Sequence, residues 1–277
     1  MTYPIVLAHG VCRFDFLWNE SLDIDNNDDP DLDKLHYFKG LRTMLMSKGF
    51  SVHHSKVSWG ASVDKRAADL KDNVLKILET TRAGKVNLIA HSMGGLDARH
   101  MLFNDRNRGK IHERVASLTT VATPHRGTPF ADWGLKNLNL LAGIIQKIGL
   151  DIAGLKDLQT DVCQAYNALP EVRAFETNCA DTIMFQTFAG KQNFLGVLGP
   201  LKISCGIIEQ KEGANDGLVS VQSAKWKDAY FVKTLAKTDH LNSVGWWDVD
   251  QLLVGEGPDN LLKRIHAFYT EIVETLP

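Results

Sequence analysis

The sequence predicts an α/β fold, with a mostly parallel central sheet flanked by helices and a helical insertion late in the chain. Three observations predict it. Short apolar runs rich in β-branched residues alternate with longer amphipathic stretches, the pattern of parallel strands joined by crossover helices. A serine sits in a small-residue turn between the clearest strand and a helix, and residues 128–181 contain no strand-like run. At 277 residues one hydrophobic core can organise the chain, so a single domain over 1–277 is expected, with 128–181 as a helical lid or cap inserted into it.

The elements follow in order. Residues 3–8 (YPIVLA) read as a buried strand that ends at His9-Gly10, and residues 34–48 as a helix closed by Gly49. A strand is expected near 51–57 and a helix over 63–81. Residues 85–90 (KVNLIA) leave through His91-Ser92-Met93-Gly94-Gly95 into a helix that runs to about Asn104. Residues 115–122 (VASLTTVA) form the next central strand, stopped by Thr123-Pro124. After the insertion, strands are expected at 182–189, 203–208 and 229–235, with a final helix over 260–276.

Composition narrows the function classes. The chain is 44% hydrophobic and 23% charged, and carries a net charge of −2 from 31 basic and 33 acidic residues. Such a balance gives no global field toward nucleic acid or an anionic membrane, so no nucleic-acid partner is expected. No transmembrane segment is visible, and the first ten residues lack the features of a signal peptide; a cytoplasmic protein, or one secreted without a visible signal, is expected. Cys12, Cys163, Cys179 and Cys205 form no CxxC pair; a Cys163–Cys179 bridge is weighed, but unpaired buried thiols are favoured.

Residues 23–33 (DIDNNDDPDLD) hold six aspartates. As a calcium loop of the EF-hand type the segment fails at its sixth position, Asp28 in place of glycine, and at its twelfth, Lys34 in place of glutamate. A solvated surface loop is the expectation.

A serine hydroxyl becomes a nucleophile only when a base takes its proton and preorganised donors meet the oxyanion. Ala90-His91-Ser92-Met93-Gly94 has the form AxSxG, a nucleophile elbow in which alanine replaces the first glycine. Small residues are needed at both ends because the flanking backbones nearly touch where strand turns into helix. The helix N-terminus then aims unpaired N–H groups at developing negative charge. His9-Gly10-Val11 after the first strand supplies a second donor loop, so the oxyanion hole is assigned to the N–H groups of Val11 and Met93.

In this arrangement the acid and the base follow the serine in that order. Asp216 stands in a glycine-backed turn (NDGLV), and His240 on a late loop (TDHL). Eight of the ten histidines precede the acid, and His266 falls inside the final helix, which leaves His240. Asp181 lies before a strand, and Asp239 is too close to His240 in sequence to orient its ring. The expected catalytic set is therefore Ser92, Asp216 and His240.

Together LAHG, AHSMGGLDAR, ATPHRGTPFAD, NDGLVSVQSA and DHLNSV resemble the motif series of bacterial triacylglycerol lipases of the α/β-hydrolase superfamily. The resemblance implies a core of about eight mostly parallel strands and a helical lid before the acid. It repeats the acid and base assignments. The structural calcium of many such lipases is not expected here, because Asn242 and Trp246 stand where its ligands would be, and no other metal or cofactor is implied. His125 in TPHRG is read as a structural hydrogen-bonding residue.

Leu135, Leu138, Leu141, Ile145 and Ile148 recur at helical spacing, as in a lid, an interfacial helix or a helix buried on the sheet. With Phe130, Trp133 and Phe194 they argue for an acyl chain as ligand, and Phe130, Trp133, Leu138, Leu141 and Ile145 are the expected substrate-binding residues. The expected activity is hydrolysis of acylglycerols or similar lipophilic esters, with peripheral contact to a lipid interface. Esterase, thioesterase, phospholipase or acyltransferase chemistry with the same three residues is the alternative, followed by a non-catalytic binding protein.

Overall fold

The structure, a computed structural model, describes residues 2–11, 26, 28–58, 60–137 and 152–277. Its centre is a six-stranded sheet in the order β2-β1-β3-β4-β5-β6, with every neighbouring pair parallel. The strands are β1 (Ile5–Ala8), β2 (Val52–His54), β3 (Val86–His91), β4 (Val115–Val121), β5 (Met184–Lys191) and β6 (Phe231–Ala236). β1, β3 and β4 are buried along their whole length, as strands covered on both faces must be. Six described strands stand where the resemblance implied about eight.

Helices α1 (Pro30–Asp33), α2 (Leu41–Met46), α3 (Val63–Thr81) and α4 (Met93–Asn104) precede β4. Then come α5 (Pro129–Lys136), α6 (Ile152–Asp157), α7 (Thr160–Ala168), α8 (Pro170–Cys179), α9 (Lys202–Glu212), α10 (Val221–Ala224) and α11 (Pro258–Glu274). One core face packs Leu70, Val74 and Leu78 of α3 and Met101 of α4 on Val6, Leu88 and Leu118. The opposite face packs Leu41 and Leu45 of α2 and Ile265, Phe268 and Ile272 of α11 on Ile5, Leu7 and Ile89. Within 128–181 the described residues are helical, as the absence of a strand pattern suggested. Leu138, Leu141, Ile145 and Ile148 lie outside the described residues, as does Cys12.

Two expected elements differ. The single helix over 34–48 is replaced by turns and the short α2. Gly40 adopts φ 67°, and the Lys39 N–H goes to the Val244 carbonyl at 3.1 Å instead of continuing a helical ladder. Tyr37 and Phe38 are buried with Leu41 in one core cluster. The apolar run at 203–208 is not a strand but part of α9. Ser204, Cys205 and Ile208 are buried while Ile203 is 55% exposed, the spacing of one helical face.

The acidic loop also differs in one residue. Asp28, Asp29 and Asp31 are exposed, but Asp33 is buried, accepting from the Thr43 N–H at 2.9 Å and pairing with His54 Nε2 at 2.9 Å. Cys163, Cys179 and Cys205 are free and buried.

Candidate active site

Parallel strands bring their carboxyl ends to one edge of the sheet, where ligands of open α/β sheets bind. β1 delivers residues 9–11 there, β3 delivers Ser92, and the turn after β6 delivers His240. Asp216 arrives differently from expectation. It follows helix α9 instead of a strand and lies against the end of β5, where a Cβ on Gly190 would come within 2.9 Å of the Asp216 Cβ.

Ser92 has φ 56° and ψ −133°, a conformation rare for a side-chain-bearing residue, at the strand-to-helix turn. The turn is held on both sides: the Ser92 N–H goes to Val121 O at 3.0 Å, and Thr123 Oγ1 donates to Ser92 O at 2.8 Å. Gly94 is required by close approach, since a Cβ there would lie 2.5 Å from Ala8 O and 2.8 Å from His9 O.

Ser92 Oγ lies 2.9 Å from His240 Nε2, and His240 Nδ1 lies 2.8 Å from Asp216 Oδ2. All three side chains are buried, Ser92 being 6% exposed. Asp216 Oδ1 accepts the N–H groups of Leu218 at 2.9 Å and Val219 at 2.7 Å, and its carbonyl accepts the His240 N–H at 2.8 Å. Both the carboxylate and the loop it faces are therefore fixed. A carboxylate that accepts at Oδ2 requires the Nδ1–H tautomer of His240, which leaves Nε2 to accept the Ser92 proton.

A second histidine, missed as a site residue in the sequence although it stands inside the elbow, lies behind the first. The His91 and His240 ring centroids are 4.6 Å apart. Ser243 Oγ donates to His240 O at 2.7 Å and so accepts from His91 Nε2 at 2.9 Å, while Tyr37 OH donates to His91 Nδ1 at 2.6 Å. Burial, and next the His240 ring, hold His91 well below the usual histidine range, so it is a neutral spacer. Ser243, in DHLNSV, and His91, in AHSMGG, were both legible in those motifs as polar residues beside the key ones.

Asp239, set aside as the acid, is fully buried and turned away from the ring. Its Oδ1 accepts Leu241 N at 2.9 Å and Asn242 N at 2.8 Å, and its Oδ2 accepts Leu198 N at 2.9 Å. Burial pushes its carboxyl up to about 7. Asn242 accepts the Asp239 N–H and donates to Trp246 O, which occupies it with loop structure. Among the described residues no group of three or more His, Cys, Asp or Glu is arranged to hold a metal ion.

Val11 follows Gly10, whose Cβ position would lie 3.1 Å from Ser92 Oγ, so the donor loop passes directly over the serine. Met93 is the first residue of α4 and its N–H has no intrahelical acceptor. Val11, Phe130, Trp133 and Leu135 pack on one apolar cluster with Met93, Leu96 and Leu155. Two of the five expected substrate-binding residues, Phe130 and Trp133, are therefore beside the site; Leu138, Leu141 and Ile145 lie outside the described residues. His125 is buried, accepting from Arg99 Nη1 at 3.4 Å, bonded to Thr120 Oγ1 at 2.9 Å and stacked on Trp226. That is the structural role expected of it.

Residues 50–147 match a PGAP1-like alpha/beta domain. The chain is 32% identical over 280 residues to triacylglycerol lipase 2 of Saccharomyces cerevisiae, spanning 88% of this chain and 80% of that one. It is 25% identical over 313 residues to a triacylglycerol lipase of Pseudarthrobacter phenanthrenivorans, spanning 91% and 89%. In fold it is similar to the crystal structures of a Staphylococcus hyicus lipase (TM-score 0.65, 18% identity, 98% of this chain and 95% of that chain). A Bacillus licheniformis lipase in mature form is similar too (TM-score 0.64, 20% identity, 87% and 85%).

Proposed function

The chain belongs to the triacylglycerol lipase family and is a serine ester hydrolase, and on that premise we propose that Ser92, His240 and Asp216 are its catalytic triad and that acylglycerols or similar lipophilic esters are its substrates. The observation that carries the reading is the continuous pair of contacts, 2.9 Å from Ser92 Oγ to His240 Nε2 and 2.8 Å from His240 Nδ1 to Asp216 Oδ2.

In the proposed mechanism Ser92 Oγ attacks the ester carbonyl carbon as His240 takes its proton, and Asp216 stabilises the imidazolium. The carbonyl oxygen gains the negative charge and is met by the N–H groups of Val11 and Met93. Collapse expels the alcohol with the proton from His240 and leaves an acyl-serine. Water, deprotonated by His240, then releases the carboxylic acid and restores Ser92. No residue in this sequence of steps needs a metal.

The acyl chain is assigned to the apolar cluster of Val11, Met93, Leu96, Phe130 and Trp133. Residues 128–181 are assigned as the cap over it. Its described helices are tied down at the base: Asp157 accepts the Val63 N–H at 2.7 Å, and Glu176 pairs with Arg99 at 2.7 Å.

Contact with a lipid surface is assigned to a patch beside the site. Residues 194–203 and 249–254 pack together through Gln251 Nε2 to Gly196 O at 2.7 Å and Lys202 to Asp250 at 3.2 Å. Between them they expose Phe194, Leu195 (62%), Ile203, Val249 (70%), Leu252 (61%) and Leu253 (63%). Leu198 in the first segment is bonded to Asp239, next to His240, so the patch flanks the site. Lys202 is paired with Asp250 and Arg264 with Glu256, and Asp248 adds a further acid, so the patch carries no cationic excess and favours an uncharged or zwitterionic surface over an anionic one. Among the described residues no helix is long and apolar enough to cross a membrane.

The test is hydrolysis of p-nitrophenyl esters from C2 to C16, and of emulsified triglyceride, by wild type and Ser92→Ala. The variant should lose at least about 10⁴-fold in kcat. Equal activity would overturn the nucleophile, and a preference for short soluble esters would replace lipase by esterase.

A further inference from the structure

Arg66 is a fully buried arginine of α3. Among the described residues its guanidinium reaches three places. Nε and Nη2 grip the Asp97 carboxylate at 2.9 and 2.6 Å, Nη1 donates to Ser58 O at 3.1 Å, and Nη2 donates to His9 O at 2.9 Å. Asp97 lies on α4 one helical turn after Met93, and His9 lies two residues before Val11. One planar cation thus bridges the two elements that carry the proposed oxyanion donors.

The bond to His9 O matters because a trans peptide holds its N–H opposite its carbonyl. Fixing the His9 carbonyl on Arg66 sets the His9–Gly10 plane. The next plane is fixed in the same manner, since Gly10 O accepts from the His9 ring at Nδ1, 2.7 Å away, and Val57 N–H meets the other ring nitrogen at 3.4 Å. Because the Gly10–Val11 peptide is trans, holding Gly10 O also fixes the direction of the Val11 N–H, opposite to that carbonyl. The contact of Gly94 with Ala8 O and His9 O presses the same loop on the start of α4. A buried ion pair adds little net stability over an apolar pair of the same volume, so stability alone does not account for this one.

We propose that Arg66, clamped by Asp97, is a positioning residue that sets the oxyanion hole by fixing the loop of residues 9–11 relative to the N-terminus of α4. Lysine cannot replace it, because an ammonium is a point donor and cannot hold the carboxylate and two carbonyls in one plane.

The inference rests on the assignment of the Val11 and Met93 N–H groups, and its test is separable from that of the nucleophile. Arg66→Lys and the near-isosteric Asp97→Asn are assayed on p-nitrophenyl acetate, with a trifluoromethyl ketone inhibitor whose adduct places an oxyanion in the hole. A non-reactive methyl ketone of the same shape serves as control. The expected result for Arg66→Lys is a fall in kcat of at least 30-fold with KM within about threefold. Trifluoromethyl ketone affinity should fall in parallel, while methyl ketone affinity and the pH profile of kcat stay unchanged. Asp97→Asn should move in the same direction by a smaller factor, and it carries the test alone if Arg66→Lys fails to fold. Folded variants with wild-type kcat and wild-type trifluoromethyl ketone affinity, whatever their Tm, would overturn the proposal. Activity surviving in Ser92→Ala would instead remove the triad reading beneath it.

Discussion

The rings of His91 and His240 lie 4.6 Å apart, and Ser243 joins them a second time by accepting from His91 Nε2 and donating to the His240 carbonyl. His91 is neutral in this position, so it supports His240 by packing and by one bonded hydroxyl, without adding a competing charge.

Loss of that support should be visible in turnover. His91→Ala removes the ring behind His240 and leaves Ser243 Oγ and Tyr37 OH without their shared partner. We expect kcat to fall about 10- to 100-fold with little change in KM, and Ser243→Ala to fall less. The measurement is steady-state hydrolysis of p-nitrophenyl butyrate, and a His91→Ala enzyme with unaltered kcat would count against the support.

The two neighbouring acids should separate cleanly. Asp216→Asn destroys the acceptor that selects the His240 tautomer, and kcat should drop by roughly 10³- to 10⁴-fold while the fold is kept. Asp239→Asn instead sets an amide among three backbone N–H donors, with a cost of about 1–3 kcal/mol in stability. Its kcat should stay within about tenfold of wild type. Urea unfolding with parallel kinetics checks both, and the reverse ranking would exchange the roles of the two residues.

Interface binding should depend on the exposed patch. Leu252→Ser combined with Leu253→Ser removes two side chains that are more than half exposed and so should leave hydrolysis of soluble p-nitrophenyl acetate unchanged. Sedimentation with phosphatidylcholine vesicles containing triolein should show at least tenfold weaker partitioning, at about 1.5–3 kcal/mol for each fully buried leucine. Undiminished partitioning would place the lipid contact elsewhere.

Stability should fall on acidification. Burial lowers His54 and His100 to about 4 and holds His91 and His125 well below the usual histidine range, so the folded state binds fewer protons than the unfolded chain as pH falls below the ordinary histidine value of 6.5. The stability of these groups is present above 6.5 and lost as pH falls toward 4, by about 3 kcal/mol for His54. Burial raises Asp97 to about 6 and Asp239 to about 7, and these two act in the opposite sense, being better tolerated when protonated. His53 and His266 are lowered as well and Asp157 is raised, so six histidines against three carboxyls give a net loss, read as a falling Tm from pH 6.5 to 4.5. A flat or rising Tm there would contradict the balance.

Most of the architecture was legible locally. The helix at 63–81 and the strand-elbow-helix unit around Ser92 are set by periodicity and turn chemistry within a few residues, and they stand where the sequence put them. The order of Ser92, Asp216 and His240 was enough to choose them, because few loops offer a carboxylate and then a histidine. The apolar run at 203–208 was misread since six residues of apolar character satisfy a strand or a helix equally, and only the buried face decides. Residues 34–48 were misread because Tyr37 and Phe38 continue a helical spacing that Gly40 interrupts.

By itself, then, the sequence determined the strand-and-helix alternation and the elbow, because each depends on neighbours a few positions away, and it named the three residues proposed as the triad from their order along the chain. Tertiary structure alone decided the approach of Asp216 to the end of β5, the placing of His91 behind His240, and the reach of Arg66 to both His9 and Asp97. Those contacts join residues 26 to 149 positions apart, and no local pattern records which distant partner a buried charge or ring will meet.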